Sequence, residues 1–217
     1  MKRFYVSLIV SSFLFNIIGN AQVLSKGNFV IGTTMGFSTS DSKVSLESTN
    51  SNAEGDGPSA TQISFAPNIG YFVVENFALG IGMDYTFGSV KEPNLDEVTD
   101  SDLLFGPFFR YYIPTDNDAA FFFQTDFGFG SSSDQQYIGT SIQSIDSNIF
   151  AIGAGPGFTI FSNNAIGVEA LFKYNFARSK FNTQSGGVST TTTTKTNQYD
   201  LSIGIQFYFE SLKSAGR

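Results

Sequence analysis

The chain has 217 residues and a formal net charge of −7, and it contains no cysteine, histidine or tryptophan. Without cysteine and histidine it can form no disulfide, no thiolate nucleophile and no His-based general base, and we expect no metal and no cofactor. The acidic balance argues against binding to nucleic acid, which requires a basic stripe. Phenylalanine is abundant, with 25 residues, while charged residues make up only 14%.

The first 21 residues have the layout of a signal peptide. A basic start, "MKR", precedes an apolar run over 4–18, and small residues precede a cleavage site after Ala21. The run is shorter than the ~20 apolar residues of a membrane-spanning helix. We therefore predict a signal peptide over 1–21 and one domain over 22–217.

The rest of the chain repeats a two-residue period, in which large apolar residues alternate with glycine or polar residues. In the stretch "ALGIGMDYTFG", for example, Leu79, Ile81 and Met83 alternate with Ala78, Gly80 and Gly82. Such alternation predicts β-strands of about ten residues, the length that a tilted strand needs to cross a bilayer. The eight predicted strands are 28–38, 62–71, 78–88, 103–113, 120–130, 150–161, 166–177 and 199–209.

The size of the apolar side chains decides which face of these strands points inward. An eight-stranded barrel encloses a space that side chains just fill, and the large apolar residues of eight strands do not fit there. A barrel with these residues in lipid and glycine in its lumen has no such conflict, and closure pairs every backbone group. The sequence therefore predicts an all-β, eight-stranded antiparallel up-and-down transmembrane β-barrel. Pro67, Pro107 and Pro156 fall on the lipid side, where we expect local bulges.

The connections between the predicted strands alternate in length. Three are short, and four are long, polar and low in complexity, so the long ones are predicted to be mobile loops. Short turns on one side and long loops on the other are typical of outer-membrane barrels. We therefore expect both termini on the periplasmic side and the long loops outside the cell. The long connections are 39–61, 89–102, 131–149 and 178–198.

Six charged residues fall on the predicted lumen face. We interpret them as a polar network that fills the barrel with ion pairs, in which Arg110 contacts Asp84 or Asp126 and Lys173 contacts Asp200. An ion or solute path is the alternative, and catalysis by a Ser–His pair is excluded because the chain has no histidine. The six are Asp84, Arg110, Asp126, Glu169, Lys173 and Asp200.

Two other features have ordinary explanations. The glycines of "GAGPG" (153–157) lack the following helix of a nucleotide-binding motif, so we interpret them as small lumen residues. The acidic residues of 39–61 and 89–102 have no calcium-loop spacing and are predicted to be solvated, although they could bridge to lipopolysaccharide through divalent cations.

Three segments resemble the small outer-membrane β-barrel family typified by the OmpA transmembrane domain and OmpX. They are "GYFVVENFALGIGMDY", "FGPFFRYYIP" and the last strand, "LSIGIQFYF". The last strand is also similar to the signal that the barrel-assembly machinery reads, with the motif residues at Ser202, Gly204, Phe207 and Phe209. The resemblance implies a monomer that contacts outer-membrane lipid, lipopolysaccharide and that machinery, with "ESLKSAGR" as a short periplasmic tail.

These observations predict a non-enzymatic integral outer-membrane protein with a narrow polar lumen and an envelope-structural or surface-interaction role. Two alternatives remain at this point. The first is a small porin that passes ions or small solutes, and the second is a soluble secreted β-barrel that binds an apolar ligand.

Overall fold

The structure, a computed structural model, describes residues 22–48, 51–91, 98–115, 118–138, 141–162, 165–185 and 188–210. A 3-10 turn over Gln22–Leu24 precedes eight strands. The strands are β1 (Phe29–Ser48), β2 (Ser51–Val74), β3 (Phe77–Lys91), β4 (Val98–Thr115), β5 (Ala119–Ile138), β6 (Ser141–Ser162), β7 (Ile166–Ser185) and β8 (Val188–Phe209). No helix in the described part of the chain is long and apolar enough to cross a membrane.

The eight strands form a closed barrel in which each strand pairs antiparallel with its neighbours in sequence. The ring closes where β1 pairs with β8, from Phe29↔Phe209 to Ser48↔Thr190. This confirms the predicted eight-stranded up-and-down barrel. Because the ring has no free edge, each strand has a hydrogen-bonded neighbour on both sides.

The outer surface of the barrel carries a broad apolar band, as the period-two pattern predicts. On β3 and β8, for example, Ile81 and Ile203 are 49% and 66% exposed, whereas Ala78 and Gln206, on the inward-facing register of the same two strands, are buried. The band covers about ten residues of each strand, from Phe29 to Phe37 on β1 and from Leu201 to Phe209 on β8. This is the length that a tilted strand needs to cross hydrocarbon.

Tyrosines lie on the outer face toward both ends of this band. Tyr71 and Tyr111 lie toward the end where the termini lie, which we call the terminus end, and Tyr174 and Tyr199 lie toward the opposite end. A tyrosine ring has an apolar body and a polar tip, which suits the boundary between hydrocarbon and head groups. The outer surface thus has the layering of a membrane interface.

Most of the segments predicted to be mobile loops are strand, and that prediction was wrong. β1 and β2 stay paired as far as Ser48↔Ser51, β5 and β6 as far as Ile138↔Ser141, and β7 and β8 as far as Ser185↔Val188. The predicted loop 89–102 is shorter, since β3 and β4 pair through Val90↔Val98, and 92–97 lie outside the described residues.

We call the described parts of 39–61, 89–102, 131–149 and 178–198 the hairpin extension. Its strands are rich in serine and threonine on both faces, so the apolar alternation stops where the barrel no longer faces an apolar medium. The antiparallel ladder itself needs only backbone groups, and threonine favours extended structure. A strand can therefore continue where its sequence pattern has ended.

The three prolines of the lipid face interrupt the sheet on one side only. Pro67, Pro107 and Pro156 each stay paired with the preceding strand, as in Ile81↔Pro107. The ladder to the following strand has a gap there without a change of register. The predicted bulges at the prolines are thus wrong, because proline removes one donor and that donor would serve only one neighbour. Register shifts occur instead between Asp41 and Lys43 and between Phe72 and Val74.

The apolar band can be tested with one charge at two levels. Ile81→Arg places a guanidinium in the middle of the band and should destabilise the barrel by about 2–4 kcal/mol. Ser59→Arg places the same group on the outward surface of the hairpin extension, where Ser59 is exposed and pairs with Asp41, and should change stability little. Denaturant unfolding in lipid vesicles measures both. Equal costs for the two variants would contradict the position of the band.

Candidate functional site

The N-terminal turn covers the mouth of the barrel at the terminus end. Val23 and Leu24 are buried, and the Asn76 amide donates to the Leu24 carbonyl at 2.9 Å. The Gly27 amide donates to the Phe72 carbonyl at 2.8 Å, with φ of Gly27 at 99°. This left-handed conformation, which favours glycine, lets the chain reverse and enter β1.

Above this turn, aromatic side chains fill the lumen. The Phe72 and Tyr112 ring centroids are 5.7 Å apart, those of Tyr112 and Phe122 are 5.6 Å apart, and those of Phe161 and Tyr208 are 5.3 Å apart. The hydroxyls of Tyr112 and Tyr208 lie 3.1 Å apart and share one hydrogen bond. We call these rings, with Val23 and Leu24, the floor of the lumen.

The floor differs from the sequence prediction of a lumen lined only by glycine and polar residues. A signal for it exists. Adjacent aromatic residues, such as Tyr71–Phe72 and Tyr111–Tyr112, cannot both face lipid in a strand, so one ring of each pair must point inward. These pairs occur near the terminus end of the strands, where the floor lies.

Arg110 lies directly above the floor and is 2% exposed. Its Nη1 is 2.7 Å from Glu169 Oε2 and its Nη2 is 3.2 Å from Glu169 Oε1, which forms a bidentate ion pair across the lumen. The guanidinium also donates to Gln124 Oε1 at 2.8 and 2.5 Å and lies 4.4 Å from the Phe122 ring centroid. Gln206 Nε2 donates to Glu169 Oε1 at 2.9 Å. The two buried charges are therefore paired and surrounded by hydrogen-bonding groups.

The second basic residue of the lumen, Lys173, is part of a more open group. Its Nζ is 3.2 Å from Asp126 Oδ2, and the two side chains are 12% and 25% exposed. Asp200 accepts from Gln198 Nε2 at 2.8 Å and from the Asn175 side-chain amide. Asp84 accepts from the Thr86 hydroxyl at 3.2 Å.

All six predicted lumen charges thus face inward, but the individual pairings predicted from sequence were wrong. Arg110 binds Glu169 rather than Asp84 or Asp126, because a long side chain in a narrow lumen reaches across the barrel from β4 to β7. Lys173 binds Asp126 rather than Asp200, although Lys173 and Asp200 are register partners in β7 and β8. Amide groups already satisfy Asp200.

A cavity of about 550 Å³ occupies the lumen above Arg110 and continues into the hairpin extension. The base of the cavity is formed by Arg110, Gln124, Phe108 and Leu171, and its walls reach Val44 and Thr192. Acidic residues dominate its charged lining, with Lys173 and Arg110 as the bases. The acids are Asp56, Asp84, Asp100, Asp102, Asp126 and Asp200. Among the described residues, no three or more acidic side chains converge in an arrangement that could hold a metal ion.

The motif residues of the last strand alternate between lumen and lipid. Ser202 is buried and Gly204 faces the lumen, whereas Phe207 and Phe209 are 45% and 50% exposed on the outer face. A Cβ at Gly204 would lie 2.7 Å from the Thr33 carbonyl oxygen of β1, so glycine permits the close approach of β1 and β8.

No protein-family model and no curated protein sequence matches the chain. Among solved structures, OprG from Pseudomonas aeruginosa aligns at 16% identity over 87% of this chain and 99% of its own, with a TM-score of 0.55. Neisserial surface protein A aligns at 16% identity over 84% of this chain and 99% of its own, with a TM-score of 0.50. This chain has the fold of the small outer-membrane β-barrels. The Escherichia coli protease OmpT aligns at 10% identity over 84% of this chain and 97% of its own, with a TM-score of 0.46. An alignment this weak says nothing about activity.

The ion pair above the floor can be tested by a double-mutant cycle. Arg110→Gln alone should cost about 3–5 kcal/mol, because it leaves the buried Glu169 carboxylate without a counter-charge. Arg110→Gln with Glu169→Gln should cost much less than the sum of the two single variants. Denaturant unfolding in detergent micelles measures all three, and additive costs would contradict a coupled pair. Arg178→Gln, at an exposed position of the hairpin extension, serves as the matched control with an expected cost of at most about 1 kcal/mol.

Proposed function

We propose that this chain is a non-enzymatic integral outer-membrane protein with a closed lumen and an envelope-structural or surface-interaction role. The observation that carries this proposal is the continuous filling of the lumen at the terminus end. The N-terminal turn, the aromatic floor and the Arg110–Glu169 pair follow one another along the barrel axis. A molecule crossing the membrane through the lumen would have to displace all three layers.

The outer surface supports placement in a membrane rather than in water. A soluble barrel that binds an apolar ligand would carry its large apolar residues inside and polar residues outside. Here the arrangement is reversed, with Met35, Ile63 and Ile203 more than 60% exposed. A contiguous apolar belt of this size on a water-soluble protein would drive aggregation.

The hairpin extension supports a role at the surface. It projects the barrel wall beyond the apolar band with polar residues on both faces, and the ladders of β1, β2, β7 and β8 give it a fixed shape. A rigid polar wall presents a defined surface for contact, which mobile loops do not. We place this end outside the cell and the terminus end in the periplasm.

Conductance across a planar bilayer tests the closed lumen. The refolded wild-type barrel should show no steady discrete openings. Removing the rings of the floor, with Phe72→Ala, Tyr112→Ala and Tyr208→Ala together, should produce small openings, because the N-terminal turn and Arg110 then lose the rings that they pack against. The openings should be cation-selective, because acids outnumber bases in the cavity above.

The control for this experiment is a triple variant of the lipid face, Phe121→Ala, Phe123→Ala and Phe129→Ala, which removes the same number of rings without touching the lumen. It should stay silent. Steady openings of the wild-type protein would contradict the proposal and favour a small porin.

The orientation can be tested by single cysteines, because the natural chain has none. Ser59→Cys lies exposed in the hairpin extension, and Ser162→Cys lies exposed at the terminus end. On intact cells, a membrane-impermeant maleimide should label the first and spare the second. Permeabilising the outer membrane should make both react. Labelling of Ser162→Cys alone on intact cells would invert the proposed topology.

A further inference from the structure

We propose that the cavity above Arg110 is a binding site for small organic cations that carry several ammonium groups, of the linear polyamine class. The inference goes beyond the proposed function and rests on it for the closed floor and for the side from which the ligand enters. Its basis is the shape of the cavity, the imbalance of charge on its wall and the spacing of the acidic groups.

The cavity has the size and form of a ligand site. Its volume of about 550 Å³ falls within the ~300–1,000 Å³ of small-molecule pockets. The aromatic floor and the Arg110–Glu169 pair close it at the terminus end, so a ligand that enters is retained rather than passed on. The floor thus makes the space a pocket instead of a channel.

The middle of this pocket contains more negative than positive charge. Asp84, Asp126 and Asp200 all interact electrostatically with Lys173. Among the described residues, the ion pairs are Arg110–Glu169 and Lys173–Asp126, which leaves Asp84 and Asp200 without an ion-pair partner. Carboxylates in a narrow lumen at membrane level are costly without counter-charge. A bound cation supplies it.

The spacing of the acids favours an extended cation over a metal ion. The three carboxylates belong to β3, β5 and β8, and no described group of acids converges as metal ligands must. Apolar side chains, among them Leu104, Phe108 and Leu171, line the same cavity. A polyamine alternates ammonium groups with methylene segments, so its charges and its apolar segments both find matching surface.

Asp100 and Asp102 extend the acidic lining toward the hairpin extension. Along the inward face of β4, these two acids are followed by Leu104, Gly106 and Phe108, and then by Arg110 at the base. This strand therefore changes from acidic to apolar to basic with depth. A cation is attracted at the upper levels and stopped by the guanidinium at the base.

Calorimetric titration of the purified barrel in detergent micelles with spermidine tests the proposal. At low ionic strength, one spermidine should bind per barrel, and added salt should weaken it. Asp84→Asn should raise the Kd about tenfold or more, because it removes an unpaired charge without disturbing either ion pair. Asp146→Asn is the matched control: the residue is exposed on β6 outside the cavity, and the Kd should not change.

Two further variants complete the test, one as a substitute in case of misfolding and one with an expected gain of affinity. Asp200→Asn replaces Asp84→Asn if the latter does not refold, with the same expected loss. Lys173→Met removes the internal cation that competes for Asp126, and should tighten binding.

Several results would overturn the proposal. They are the absence of binding heat, equal affinity of the Asp84→Asn and Asp146→Asn barrels for spermidine, and weaker binding of spermidine to the Lys173→Met barrel. Displacement of spermidine by an equal concentration of Mg²⁺, with the same dependence on Asp84, would assign the pocket to a metal ion instead. None of these results depends on conductance, so the closed lumen can fail or hold independently.

Discussion

The closure of β1 onto β8 is the constraint on which the rest of the structure depends. An open eight-stranded sheet with this outer surface would present unpaired amide and carbonyl groups to hydrocarbon, at several kcal/mol for each group. Closure removes both edges of the sheet. It also gives every strand one face toward the lumen and one face toward the outside, so the side-chain alternation has the same sense around the whole ring. The close approach at Gly204 is part of this closure. The three prolines are tolerated because each interrupts only one of its two ladders.

Closure also creates an interior that must be filled, and the protein fills its two ends differently. Near the terminus end, rings, the N-terminal turn and a fully paired arginine and glutamate occupy the lumen. Farther along, glycine and short polar side chains leave a cavity of about 550 Å³. The first region stabilises the barrel by packing and by a satisfied ion pair, while the second retains uncompensated carboxylates. The stabilising contacts and the proposed cation site thus lie at different depths of one lumen.

The hairpin extension connects this interior to the surroundings. Its strands continue the ladder of the barrel but lose the apolar band, so the same wall has a lipid-facing part and a water-facing part. Because the acidic cavity reaches into this region, the charge of the pocket acts on solutes that approach from that end. The proposed surface role and the proposed cation site therefore depend on the same extension of the wall.

The sequence by itself determined the number of strands, the lipid-facing register of the large apolar residues and the part of each strand that carries the apolar band. These follow from a period of two and from the volume of the side chains, which are local properties. It also placed all six lumen charges on the inner face. Only the tertiary structure decided that Arg110 binds Glu169 and Lys173 binds Asp126, because partners across a lumen depend on barrel diameter and side-chain reach rather than on strand order. The same holds for the floor, where aromatic residues from distant strands meet, and for the hairpin extension, where backbone pairing continues after the side-chain pattern has ended.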